Sequence, residues 1–207
     1  MTSTAAATAS RPSSVPGAPG RAALLRAMED LALEQGVNNV GLREVARRAG
    51  LSHAAPTHFF GSREGMIRAL ALDGLAMLED ELCAAQERSA HLPGRERLVA
   101  DGVEFVAFAL RHPAHYDAMF RTPTPARGDD VLDRARLAAL EGLRALVEQV
   151  HADGAIGGDP ETIYLQLCAM SHGIASLAVD GLLHDFGGAA GPDVIERIIR
   201  AQVAQLP

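Results

Sequence analysis

Apolar residues recur along this chain at helical spacing, and nowhere do they alternate with polar residues at the two-residue spacing of a strand. Leu24, Met28, Leu31 and Ala32 mark one such stretch. Leu98, Gly102, Phe105 and Ala109 mark another, and Leu132, Ala139, Leu143, Leu146 and Val150 a third. Composition agrees: Ala and Leu supply 63 of the 207 residues, whereas Val, Ile and Thr supply 27. That balance favours helix over strand. The expectation is an all-α fold of about nine helices, without a parallel sheet or an all-β core.

Punctuation divides the pattern. Gly36 offers a stop for a first helix from Arg21 to Gln35, and a second spans Leu42 to Ala49. Ser52 is a natural N-cap for a third helix through Phe59, with Pro56 in its first turn or just beyond. Gly61 breaks the chain, and Ser62 caps a longer helix to about Ala90. Pro93 opens the next, His112-Pro113 ends it, and Ala114 to Phe120 forms a short one. Asp129 or Asp130 caps a helix through Val150. Asp159-Pro160-Glu161 starts another that reaches about His184, and Pro192 opens the last. Residues 1–20 are nearly all Ala, Ser, Thr, Pro and Gly and read as a mobile arm, not a signal peptide.

The net charge of −7 is unevenly spread, and all 19 basic residues are Arg. Residues 1–65 carry seven Arg against five acids, residues 66–207 twelve against twenty-one. This suggests a small reader of a charged surface fused to an acidic body. Two cysteines exclude a disulfide scaffold and a tetrathiolate zinc site, and fit a reduced, cytoplasmic setting. The absence of Trp and the two Tyr argue against an RNA reader built on aromatic stacking. The uncharged run Thr162 to Val179 reads as a buried helix of a soluble protein, since it has no aromatic belt or basic flank.

Three short helices, the last two joined through Gly50, have the layout of a helix-turn-helix. Ala46 permits a close crossing, Gly50 a positive φ, and Leu51 plugs the angle. The third helix would present Ser52, His53, Ala54, Thr57 and His58 to a major groove. Arg43, Arg47, Arg48 and Arg63 flank it and could neutralise phosphates. An ordinary bundle with solvated arginines shows the same local pattern. Further residues agree with the reader, however: Gly36, Val45-Ala46, Gly50-Leu51-Ser52, Phe59-Phe60 and Arg63-Glu64. Over about fifty residues, Arg21 to Leu70, the chain resembles the DNA-binding domain of the TetR/AcrR family. It departs at Thr57, where the family has Tyr, at Phe59, where it has His, and at Arg63, where it has Lys. Thr57 is too short to reach a phosphate as that Tyr does, and Arg11 and Arg21 of the arm could compensate in the minor groove.

The resemblance implies that residues 21–66 bind double-stranded DNA. It implies that residues 67–207 bind a small-molecule effector and pair two subunits. The run Phe105 to Pro113 with Tyr116 to Phe120, and Ser171-His172-Gly173 with Asp180-Gly181, resemble the subgroup with a WHG-type ligand domain, although its Trp is missing near Cys168. Phe105, Phe108, His112, Tyr116 and Met119 are pocket candidates, as are Phe120, Leu143, Val147, Cys168 and His172. Most could equally fill the core, and His172 could be satisfied by a carbonyl or by Asp180. Ile163, Leu167, Ile174, Leu177, Val194 and Ile198 are expected at a four-helix dimer interface. His112 and His115 stand three apart with Pro113 between them, so no metal site or other cofactor is expected. No catalytic constellation appears, and the chain does not read as an enzyme. The implied function is a homodimeric, effector-released regulator, most simply a repressor, on a pseudo-palindromic operator. The alternative is a helical ligand- or protein-binding dimer whose reader has degenerated.

Overall fold

The computed structural model describes residues 19–122, 129–183 and 191–207. Among them are nine α-helices and no strand. These are α1 (Pro19–Gln35), α2 (Leu42–Arg48), α3 (Ala55–Phe60), α4 (Arg63–Ser89) and α5 (Gly94–Arg111). They continue with α6 (Pro113–Tyr116), α7 (Asp130–Ala152), α8 (Pro160–Val179) and α9 (Pro192–Ala204). A 3₁₀ turn at Val37–Asn39 and a π-helical turn at Asp117–Arg121 were not legible in the periodicity. The expected arm, residues 1–18, lies outside the described residues, and Pro19 and Gly20 begin α1.

Most ends obey the local chemistry that predicts them. Ser62 Oγ accepts from the Gly65 amide at 3.1 Å. Asp129 accepts from the amides of Val131 and Leu132, and Asp159 from that of Thr162 at 2.9 Å. Two ends differ. Ser52 does not cap α3; the helix begins three residues later, and Ala54 holds the cap position. With Ser52 as cap, Pro56 would fall where its missing N–H leaves the Ser52 carbonyl unpaired. Instead Pro56 takes the second helical position, and the Ser52 carbonyl accepts from the Ala55 amide at 3.0 Å. Helix α8 stops at Val179 rather than near His184, which lies outside the described residues. Gly181 takes a φ of 71°, and the Leu182 amide folds back to the Leu177 carbonyl at 2.9 Å, a left-handed C-terminal cap.

Helices α1 and α3 pack on α4, and α2 on α1 and α3, while α4 to α9 build the larger body. Helix α4 lies against α5 and α7, and α5 in turn against α8 and α9. The core is continuous, running from Leu24, Leu31 and Val45 through Leu70 and Leu78 to Phe108, Leu146 and Ile199. The C-terminus is fastened to this body by the Gly157 amide, which donates to the Pro207 carbonyl at 2.7 Å, and by one side chain. Arg95 Nε donates to the Ala155 carbonyl at 2.9 Å, and Nη1 to Val203 at 2.7 Å. Nη2 reaches Leu206 and Pro207 at 3.0 and 3.1 Å. Arg95→Met keeps the apolar stem and takes the guanidinium from the Ala155 and Leu206 carbonyls, while Pro207 and Val203 keep the Gly157 and Leu206 amides. Urea unfolding should register a loss of about 2–3 kcal/mol.

Candidate nucleic-acid interface and effector cavity

The crossing of α2 and α3 rests on local geometry. Val45 and Ala46 are fully buried, Gly50 has a φ of 68°, and the Leu51 amide donates to the Ala46 carbonyl at 2.9 Å. Pro56 is buried beneath α3, and Phe59 and Phe60 are half-buried against α1. The Arg21 guanidinium lies 5.2 Å from the Phe60 ring centre, which engages it within α1. Above this base Ser52, His53, Ala54, Thr57 and His58 are all exposed. Arg43 and Arg47, one turn apart on α2, are exposed beside them and form no ion pair among the described residues.

The expectation for Arg63 is revised. Its Nε donates to the Val40 carbonyl at 2.8 Å and its Nη2 to Val37 at 3.0 Å. The side chain therefore turns inward and pins the α1–α2 connection to the first turn of α4. Arg48 is also engaged, donating to both carboxylate oxygens of Glu34 at 2.9 and 2.7 Å. Sequence spacing shows neither partner, because both lie elsewhere in the chain.

Deeper in the body, α4, α5, α7 and α8 enclose a cavity of about 20 Å³. The pocket candidates Phe105, Leu143, Cys168 and His172 line it, with Leu82, Asp101, Ala139, Leu140 and Ser171. The remaining pocket candidates stand elsewhere. Tyr116 and Phe120 back the cavity: the Tyr116 hydroxyl donates to the His172 carbonyl at 3.4 Å, and Phe120 and Phe105 hold the His172 ring edge-on at 4.5 and 4.7 Å. Burial holds His172 below the usual imidazole range, so it is neutral at physiological pH. Asp180 is not its partner, since it pairs with Arg121. Phe108, Met119 and Val147 fill the core. His112 stacks on Phe108 at 4.9 Å and meets Glu81, outside the cavity lining.

The residue that sequence reasoning missed is Asp101. It is 3% exposed and accepts from Gln86 Nε2 at 2.6 Å. Burial pushes its carboxyl up to about 6, against the lowering effect of the Gln86 bond and with a small further push from Glu104. One signal could have found it: Asp101 follows Leu98 by three residues and precedes Phe105 by four, which places an acid on the apolar face of α5.

Residues 24–70 match the family described as bacterial regulatory proteins, tetR family, and residues 98–206 match the tetracyclin repressor-like C-terminal domain. The second match alone spans more than half of the chain. The chain belongs to the TetR family. Its N-terminal helices are that family's DNA-binding domain, its C-terminal helices the family's ligand-binding domain, and members are transcription regulators rather than enzymes. A protein with unknown function from Rhodococcus sp. RHA1 is similar over 94% of this chain and 98% of its own, with 30% identity and a TM-score of 0.78. A tetR-family regulatory protein from Rhodococcus RHA1 is similar over 91% and 97%, with 14% identity and a TM-score of 0.73. AibR in complex with isovaleryl coenzyme A and operator DNA is similar over 90% and 97%, with 16% identity and a TM-score of 0.67. No curated protein sequence matches.

In this TetR-family chain α8 is long and apolar enough to cross a membrane by length and composition, but one face is packed on α5 and α7. That packing places the expected interface residues differently from one another. Ile163, Leu167 and Ile174 are buried within the protomer, the first two also reaching the floor of an open groove between α8 and α9. Leu165, Ala169 and Gly173 face outward instead, while Leu177, Val194 and Ile198 are half-buried. A helix apolar on all sides gives no sequence signal for which face turns inward.

Asp101 yields a test of the cavity's electrostatics. Its folded-state pKa lies above the ordinary value of 3.8. The folded state therefore binds the proton more readily between about pH 4 and 6. The cost of burying the charge is absent below that window and full above it. Asp101→Asn keeps an acceptor for Gln86 and should stabilise the protein by about 2–3 kcal/mol at pH 7.5. The gain should vanish by about pH 4 in denaturant titrations. An unchanged stability at pH 7.5 would contradict the assignment.

Proposed function

We propose that this protein is a homodimeric transcriptional regulator, a repressor that leaves a pseudo-palindromic operator when a small-molecule effector enters the body. The supporting observation is one of continuity. Helix α4 is unbroken from Arg63, which anchors the reader, to Leu82, which walls the cavity. At 1.5 Å per residue these ends are roughly 30 Å apart. The cavity has room for about one water. An effector of metabolite size needs about 300 Å³ or more, so its binding must part α4 from α5, α7 or α8. Half-sites on DNA stand about 34 Å apart, and a shift of a few ångströms at each reader spoils simultaneous docking. AibR, a structure of the same fold, holds both operator DNA and isovaleryl coenzyme A.

Dimerisation would use the outer faces of α8 and α9. Leu165 is 55% exposed, and the Gly173 Cα position has open space around it. Between the two helices runs an open groove of about 570 Å³ whose lining includes Met170, Gln202 and Leu206. Two such faces would bury one another, doubling the bases read by a six-residue recognition helix. Ser52, His53, Ala54, Thr57 and His58 would meet base edges, with Arg43 and Arg47 on phosphates. A regulator of this kind works in the cytoplasm, where the chromosome is.

One observation favours a second reading, a ligand- or protein-binding dimer with a degenerate reader. Arg48 and Arg63 are both engaged within the protomer, which thins the positive charge beside α3. Selection from random duplex DNA at two salt concentrations separates the two. The regulator should enrich a pseudo-palindrome, and Arg47→Ala should weaken its binding and reduce the slope of log affinity against log salt by about one. A folded dimer that enriches nothing at low salt supports the second reading instead.

A further inference from the structure

The reader's first helix and the body meet at a cluster that neither function uses. His115, on α6, is 2% exposed, and its Nδ1 is buried without a hydrogen-bond partner. Glu29, on α1, brings Oε1 to 3.5 Å from that nitrogen. His112 stands across from it, the two rings edge-on with centres 6.0 Å apart. One ligand atom from each of Glu29, His112 and His115 lies within 4.8 Å of the other two. We infer that these three side chains form a site for a divalent transition-metal ion of the zinc type, which fastens α1 to α6.

The Glu29–His115 spacing is one that a shared ion would bridge. At 3.5 Å the Glu29–His115 pair is long for a bond between nitrogen and oxygen. Two ligands each about 2.1 Å from a tetrahedral ion stand about 3.4 Å apart. Two imidazoles and one carboxylate are a donor set suited to zinc, with a fourth position left for water. Each ring also meets a further carboxylate, as ligating imidazoles usually do. Asp73 Oδ2 is 3.5 Å from His115 Nε2, and Glu81 Oε1 is 3.3 Å from His112 Nε2.

The backbone holds His115 in place. A Cβ at Gly74 would come within 2.9 Å of His115 Cβ, so the glycine lets α6 seat directly on α4. A cleft of about 230 Å³ between α1 and α4 opens onto Glu29, Asp73 and His115 and gives an ion its route in. Arg21 and Arg26 stand on its wall. Three carboxylates around the two histidines outweigh them. The ion would span the two family matches, since Glu29 lies in the DNA-binding domain and the histidines in the ligand-binding domain.

The test uses the full chain, stripped with a chelator and titrated with zinc chloride or cobalt(II) chloride. Calorimetry should give one zinc per protomer, with visible cobalt bands of tetrahedral intensity. Zinc should raise the midpoint of thermal unfolding. Glu29→Gln, at a half-exposed position that tolerates the change, should weaken binding at least tenfold and remove the thermal shift. His112→Ala should do the same, and His91→Ala, an exposed histidine elsewhere, should leave both unchanged. Binding no tighter than millimolar in the wild type overturns the site. So does binding that survives both Glu29→Gln and His112→Ala, because the ion then sits on other groups.

Discussion

The fold depends on α4 remaining one helix while two different structures are built on its ends. Over its 27 residues it buries Met66 and Leu70 on one face and, further along, Leu75, Leu78 and Leu82 on another. At its N-terminal end Arg63 ties it to the carbonyls of Val37 and Val40, and so to the reader. Arg68, little more than a turn later, pairs with Asp129, the residue that caps α7. The Arg68 guanidinium and the Leu132 amide hold the Asp129 carboxyl well below its usual range, so it stays charged at any physiological pH. A displacement of α4 bears directly on the reader, because α3 packs on α4 and Arg63 holds the α1–α2 connection to it.

Under the proposed function, that arrangement would let a cavity deep in the body govern a surface far from it. The site around Asp101, Phe105 and His172 is close to filled, and side chains packed at native density transmit displacement instead of absorbing it. A ligand that opens the cavity does so only by favouring a second arrangement of α4, α5, α7 and α8. The free energy by which it prefers that arrangement bounds its effect on DNA, and DNA opposes the ligand by the same factor. The buried Asp101 carboxyl fits such a site. Its burial is unfavourable in the closed form, and a cationic or hydrogen-bonding group on a ligand would relieve it.

How much of this was legible follows the range of each interaction. Gly50, Ala46 and Leu51 specify the helix-turn-helix because the turn is decided within six residues. Ser62, Asp129 and Asp159 mark helix starts for the same reason. Pro56 shows the limit of that locality: the expectation followed Ser52 as a cap, but the missing proline N–H moved the start of α3. Arg63 was legible as a cation beside the reader, yet its carbonyl partners belong to another connection and turned it inward. Helix α8 hid its orientation because residues on all its sides are small or apolar. The cluster of Glu29 with His112 and His115 was beyond sequence spacing altogether, since α1 and α6 meet only after α4 has folded between them.

The central claim is that volume inside the body controls the reader through α4. Ala139→Phe would test it most directly, by filling the cavity from the α7 side where Ala139 is buried. Binding to the operator obtained by selection would be measured alongside far-ultraviolet circular dichroism and dimer mass. The account predicts a folded dimer whose operator affinity falls at least tenfold with its salt dependence unchanged, as if the effector were permanently bound. Ala139→Leu, a smaller insertion, should fall between this variant and the wild type. A folded Ala139→Phe dimer that binds the operator as tightly as the wild type would contradict the coupling of cavity and reader.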